Sequence, residues 1–100
     1  MQVKTFIKRD IAKIVSKNLN TSIRKSVLYT DEVFNAVREL LCKDDDYIRV
    51  EVRNFGVIES KPAKAKPKAR NPRTNEEIFV PAHKKTHFKP GKLIKEHLKK

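Results

Sequence analysis

Apolar residues in the first forty positions fall on helical spacing. Ile7, Ile11, Ile14 and Val15 sit at i, i+4, i+7 and i+8, while Lys8, Arg9, Lys13 and Lys17 lie off that stripe. The spacing predicts a helix from about Phe6 to Asn18, with Thr5 as its N-cap. The polar run Asn18-Leu19-Asn20-Thr21-Ser22 breaks it, and Thr21 or Ser22 is placed to cap a second helix. That helix is expected from about Ile23 to Cys42. Ile23, Val27, Phe34, Val37 and Leu41 form one face, widened by Val33 and Leu40. At ~1.5 Å per residue it is about 30 Å long, too much apolar surface for one short partner helix to cover. Lys43 to Asp46 ends it and turns the chain.

From Tyr47 to Arg53 the period changes to two. Ile48, Val50 and Val52 alternate with Arg49, Glu51 and Arg53, the pattern of a half-buried antiparallel strand. Asn54-Phe55-Gly56 reads as a tight turn into a strand that begins Val57-Ile58. Residues 61–75 contain no large apolar side chain, so they are not core, and Pro62 and Pro67 exclude a helix and a central strand. Asn71 to Asn75 is a turn. Glu77 to Val80 returns to extended character, which His83 to Phe88 can continue. Pro90-Gly91 breaks the strand. Lys92 to Lys99 is a short helix, with Leu93, Ile94 and Leu98 expected inward.

Charge sharpens this picture. Residues 1–60 carry 11 basic and 9 acidic side chains, and residues 61–100 carry 13 and 3. The first part balances like an ordinary domain; the second reads as a surface for a polyanion. In residues 61–75, Lys64, Lys66, Lys68 and Arg70 recur at every second position, which on a strand puts all four on one face. Their ~6.6 Å spacing is comparable to that of successive phosphates along a DNA strand. Ala63, Ala65, Pro67 and Ala69 leave the other face slim enough for a groove. The Lys/Ala/Pro composition by itself also fits an unstructured basic linker; the Asn-Pro turn and the β-type return segment argue against one.

Four motifs, in order, carry a resemblance over nearly the whole chain: Asn54-Phe55-Gly56-Val57-Ile58, Ala69-Arg70-Asn71-Pro72-Arg73-Thr74, Val80-Pro81-Ala82 and Phe88-Lys89-Pro90-Gly91-Lys92. With the two N-terminal helices, they resemble the HU/IHF family of bacterial nucleoid DNA-bending proteins. The resemblance implies an α+β fold in an intertwined homodimer. Residues 1–46 would be its helical dimerisation part, 47–60 and 76–91 its antiparallel three-stranded sheet, 61–80 a protruding β-hairpin arm, and 92–99 a C-terminal helix. It implies arms that wrap the minor groove of double-stranded DNA, with Pro72 as a wedge between base pairs. Without the resemblance, Pro72 reads as a proline that shapes a turn. Carried over by position, the DNA-binding residues are Lys61, Lys64, Lys66, Lys68, Arg70, Asn71, Pro72, Arg73, Lys89, Lys92 and Lys95, with Lys8 a weaker candidate.

The chain also departs from the family pattern. Asn54 and Ala69 stand for glycines, Ile58 for a phenylalanine, and Asn75 stands where glycine is common. The arm is about one residue longer before Asn71, a possible bulge, and the connection from Lys43 to Ile48 is about three residues longer. Arm register and sequence preference stay open.

Other chemistry is thin. His83 and His87 lie ~13 Å apart on an extended segment, too far to share an ion, and read as solvated. Asp44, Asp45 and Asp46 read as a solvated turn. Phe55, Phe79 and Phe88 read as packing residues rather than a stacking platform. Cys42, the single cysteine, is expected to be buried and inert, with no intrachain disulfide. No nucleophile–base pair or phosphate loop is present, so an enzyme is not expected, nor a cofactor, a metal or a small-molecule substrate. No signal peptide or run of ~20 apolar residues appears, so an intracellular, soluble protein is expected; the resemblance implies a cytoplasmic, nucleoid-associated protein that bends and condenses DNA. The rival readings are a sequence-specific or heterodimeric IHF-like protein and a basic RNA-binding or ribosome-associated protein.

Overall fold

The computed structural model describes residues 1–63, 66–70, 73–74, 76–80 and 82–99, and gives the backbone alone for 66–70 and 77–80. The chain divides into two compact units, Met1–Glu39 and Leu40–Lys100.

The first unit holds α1 (Lys8–Leu19) and most of α2 (Ile23–Leu41). Ile7, not Thr5, is the N-cap of α1: its N–H donates to the Asp10 carboxylate at 2.8 Å, so a side chain in the first turn reaches back to satisfy a backbone donor outside it. At the other end Asn20 takes a left-handed conformation (φ 51°), and the Thr21 N–H returns to the Ser16 carbonyl at 3.1 Å. The Asn20 N–H bonds the Lys17 carbonyl, completing a Schellman cap in which asparagine does the work of the usual glycine. Ser22 Oγ then accepts the Lys25 N–H at 3.1 Å and caps α2. A salt bridge of 2.7 Å from Lys8 to Asp31 ties the two helices.

The buried residues of these helices are small: Ala12, Ser26 and Thr30. Their larger apolar neighbours are left in the open, Ile14 61% exposed, Leu28 60% and Val33 59%. An apolar groove of about 430 Å³ runs along Ile11, Val15, Leu19, Tyr29, Val33 and Phe34. Cys42 lies just past the end of α2 and is exposed, contrary to the expectation that the helix face would bury it.

The second unit contains β1 (Ile48–Val52), β2 (Gly56–Ala63) and β5 (His83–Pro90) in one antiparallel sheet of order β1-β2-β5. A separate antiparallel ribbon pairs β3 (Lys66–Arg70) with β4 (Glu77–Val80). β4 and β5 therefore belong to different sheets rather than forming one continuous strand. Pro62 is part of the middle strand, contrary to the expectation that its proline would exclude one; β1 pairs only as far as Ser60, so at Pro62 the strand has β5 alone as its neighbour, as at a sheet edge. The helix α3 (Lys92–Leu98) follows. Of its three apolar side chains only Ile94 is half-buried; Leu93 and Leu98 are exposed.

The turn from β1 to β2 spans Val52–Phe55, closed by the Phe55 N–H on the Val52 carbonyl at 3.0 Å, and Gly56 opens β2. Asn54 has φ 66°, a left-handed conformation that glycine takes freely and asparagine tolerates better than other side chains. Asparagine in place of glycine before Phe55 thus has a backbone reason. Gly56 and Gly91 answer a different need, close approach. A Cβ on Gly56 would meet the Lys89 carbonyl and the Phe88 ring, and one on Gly91 the Phe55 carbonyl, all within 3 Å. Replacing Asn54 by alanine should therefore lower stability by about 1 kcal/mol, whereas glycine there should be neutral or slightly stabilising; urea unfolding of the two variants checks this.

Candidate nucleic-acid interface

The pairing register assigns every sheet residue to a face. β1 and β2 pair Val50 with Ile58, and β2 and β5 pair Ile58 with Phe88, so Ile48, Val50, Val52, Ile58 and Phe88 share one face. This face is apolar, and the Phe55 ring lies 5.3 Å from the Phe88 ring at a tilt of 44°. The opposite face carries Arg49 and Glu51 from β1, Glu59 and Lys61 from β2, and His83, Lys85, His87 and Lys89 from β5. Lys61 lies directly across from Lys85, and Glu59 from His87.

Glu59 is wholly buried although it belongs to the charged face. The Tyr47 hydroxyl donates to Glu59 Oε2, and Lys89 Nζ sits 2.7 Å from Oε1. The Lys89 ammonium, and then the Tyr47 hydroxyl, hold the carboxyl down at about 2 against the opposing pull of burial. The same contact with Glu59 raises both Lys89 and Tyr47 above their ordinary values. A buried carboxylate with both oxygens occupied anchors β2 and β5 to the start of β1. Lys84 adds a second tie, donating from Nζ to the Asp45 carbonyl at 2.8 Å, and so fastens the long connection before β1 to β5.

The ribbon β3–β4 places Lys66 opposite Val80, Ala69 opposite Ile78 and Arg70 opposite Glu77. Three steps along β3 thus match two along β4, and the extra residue forms a bulge between Lys66 and Ala69. The register of β3 thus shifts within the run that carries Lys66, Lys68 and Arg70, and which face their side chains take lies outside what the structure describes. Pro67, which has no N–H to donate, falls within the bulged stretch.

A model of the family described as "Bacterial DNA-binding protein" matches residues 6–99. The chain belongs to this family. It is 35% identical to DNA-binding protein HU of Geobacillus stearothermophilus over 92 residues, which span 92% of this chain and 98% of the relative. It is also 35% identical to the SPbeta prophage-derived DNA-binding protein HU 2 of Bacillus subtilis, over 89% of this chain and 91% of the relative. Among solved structures, an Anabaena HU–DNA cocrystal structure matches with a TM-score of 0.78 and 26% identity, covering 93% of this chain and 97% of that one.

The residues singled out from the sequence are distributed as follows in this HU-family chain. Lys61 is half-buried on the charged face of β2. Lys66, Lys68 and Arg70 lie on the backbone of β3, and Arg73 is exposed in the turn beyond it. Lys64, Asn71 and Pro72 lie outside the described residues. Lys89 shares the face of Lys61 but is already paired with Glu59, its side chain still 62% exposed. Lys92 and Lys95 are exposed on α3, Lys92 at 4.0 Å from Glu96. Lys8, bound to Asp31, belongs to the helical unit.

Sequence reasoning missed the rest of the charged face: Arg49, Lys85 and the two histidines as members of one surface, and Tyr47 with Glu59 beneath it. The signal was present in His83, Lys85, His87 and Lys89, which alternate through a strand read mainly for its extended character. No helix among the described residues is long and apolar enough to cross a membrane.

The depressed Glu59 carboxyl has a defined pH signature. Its contribution to stability is complete above the ordinary carboxylate value of 4.5 and is lost as pH falls from there to about 2. Thermal melts across that window should show the wild type losing stability more steeply than Glu59→Gln, which has no carboxylate to protonate at this position. Equal slopes would remove Glu59 from the acid limb.

Proposed function

We propose that this chain is an architectural DNA-binding protein, not an enzyme. Two copies intertwine, bind duplex DNA with little sequence preference, and bend it with their β3–β4 arms. The observation that carries the reading is the combination of a lysine-rich antiparallel ribbon with a charged sheet face in a chain of the HU family. Relatives bear the name DNA-binding protein HU, and the matching Anabaena structure is of HU with DNA.

Both units support the dimer. The helical unit leaves its large aliphatic side chains and an apolar groove open, and the sheet's apolar face leaves Phe88 46% exposed. A second copy would bury these surfaces, each ~25 cal/mol for every Å² removed from water. Units this small bury a smaller fraction of their surface than larger domains and gain correspondingly more from a partner.

Arms of this kind would reach the minor groove and place Pro72 at the tip as a wedge. Unstacking a base step costs a few kcal/mol, offset by the flanking phosphates that the bend brings onto the body. Lys61, Lys64, Lys66, Lys68, Arg70, Asn71 and Arg73 serve the arm in this reading, and Lys89, Lys92 and Lys95 serve the body. Nucleoid association and condensation of DNA would follow from bending at many sites.

Two results test the reading. Energy transfer across a short end-labelled duplex should report a salt-sensitive bend that Pro72→Ala reduces more than it reduces affinity; an unchanged bend would remove the wedge. Replacing Lys64, Lys66 and Lys68 together by glutamine should weaken binding to every duplex alike. It should also lower the slope of log K against log salt by up to about 5, since three lysines are lost from each of the two arms and each phosphate contact is worth ~0.9.

A further inference from the structure

The connection from α2 into β1, longer here than in the family pattern, is fastened to the sheet at two points. Lys84 Nζ, on β5, donates to the Asp45 carbonyl at 2.8 Å, and two residues later the Tyr47 hydroxyl donates to Glu59 Oε2. The second contact reaches a carboxylate that is wholly buried, whose other oxygen, Oε1, lies 2.7 Å from Lys89 Nζ. Among the described residues Oε1 has no hydrogen-bond donor besides this ammonium. Lys89 therefore lies over a buried anion while its own side chain stays 62% exposed. Tyr47 belongs to the connection by which this chain departs from the family, so the resemblance assigns it no role.

We propose that Tyr47 is a positioning residue for DNA binding: its hydroxyl takes one oxygen of the buried Glu59 carboxylate, confines the Lys89 ammonium to the other, and so holds that ammonium at the surface for a phosphate. The inference rests on the DNA-binding reading, in which Lys89 is a contact, and adds the residue that sets it.

Lys89 cannot leave Glu59 without exposing the carboxylate to a buried site with no cation, a costly state. A phosphate must therefore be met by Lys89 where it stands. An ammonium has three donors, and a single carboxylate oxygen takes one of them, which leaves two for an anion arriving from solvent. A lysine already held in this way also has less freedom to lose when the phosphate arrives. Removing the Tyr47 hydroxyl would leave Oε2 buried without a donor. Lys89 is the cation already on the carboxylate, and bridging both oxygens would draw it inward and turn its remaining donors away from solvent.

The test is a double-mutant cycle on the dissociation constant for one short duplex, followed through a salt series, with the wild type, Tyr47→Phe, Lys89→Gln and the double variant. Tyr47→Phe changes no charge and keeps the ring. It should weaken binding by about threefold to tenfold with Lys89 present and by less than about twofold once Lys89 is glutamine. Its salt slope should fall toward that of Lys89→Gln, as the loss of the same phosphate contact requires. An equal loss in both backgrounds, which a merely structural role or a damaged fold would give, overturns the inference. So does a Tyr47→Phe protein that binds as well as wild type, or a Lys89→Gln substitution without effect. Each of these leaves the DNA-binding reading standing on the wild type's own affinity; a wild type that binds no duplex overturns both.

Discussion

A polypeptide of 100 residues that spends its length on two helices, a three-stranded sheet and an extended ribbon has little left with which to cover its own apolar faces. In the helical unit, the buried positions go to Ala12, Ser26 and Thr30, while Ile14, Leu28 and Val33 face outward. In the sheet unit, Val52, Phe55 and Phe88 remain close to half-exposed. Hydrophobic burial is the main favourable contribution to folding, and here one copy leaves much of it unrealised. Everything else in the proposed account depends on a second copy supplying it, including the pairing of two arms that no single chain possesses.

The sheet unit meets the opposite problem on its other face. There the charge is excessive rather than the apolar surface, and the fold commits its one β2 carboxylate to a buried position. With Lys89 and Tyr47 on its oxygens, Glu59 serves as a structural anchor, while Lys61 is half-buried and Lys85 exposed on the same face. Folding and binding thus draw on the same strands but on different residues. Lys89 would be the exception in the proposed account, since it belongs to the anchor and is proposed to contact phosphate as well.

Much of this was legible in the sequence because local rules dominated. The periods of 3.6 and 2 identified α1, α2 and β1, and the polar break at Asn20 to Ser22 fell where the Schellman cap and the Ser22 cap now stand. The bulge between Lys66 and Ala69 is a matter of register, which the sequence alone does not fix. Residues that depend on non-local pairing were harder to see. Glu59 looked like any strand acid, because its burial comes from Tyr47 twelve residues earlier and Lys89 thirty residues later. Thr5 was a reasonable cap by type, but Asp10 reaching back to Ile7 moved the helix start by two residues. Leu93 and Leu98 have the spacing of inward residues, yet both are exposed in the single chain.

The most direct test of the central claim is the molecular mass in solution, by sedimentation equilibrium, of the free protein and of its complex with one short duplex. The account predicts twice the chain mass for the free protein and two chains on each duplex. A folded single chain that binds duplex one to one would contradict it, because the exposed apolar faces would then need no partner and a bend held by two arms could not form.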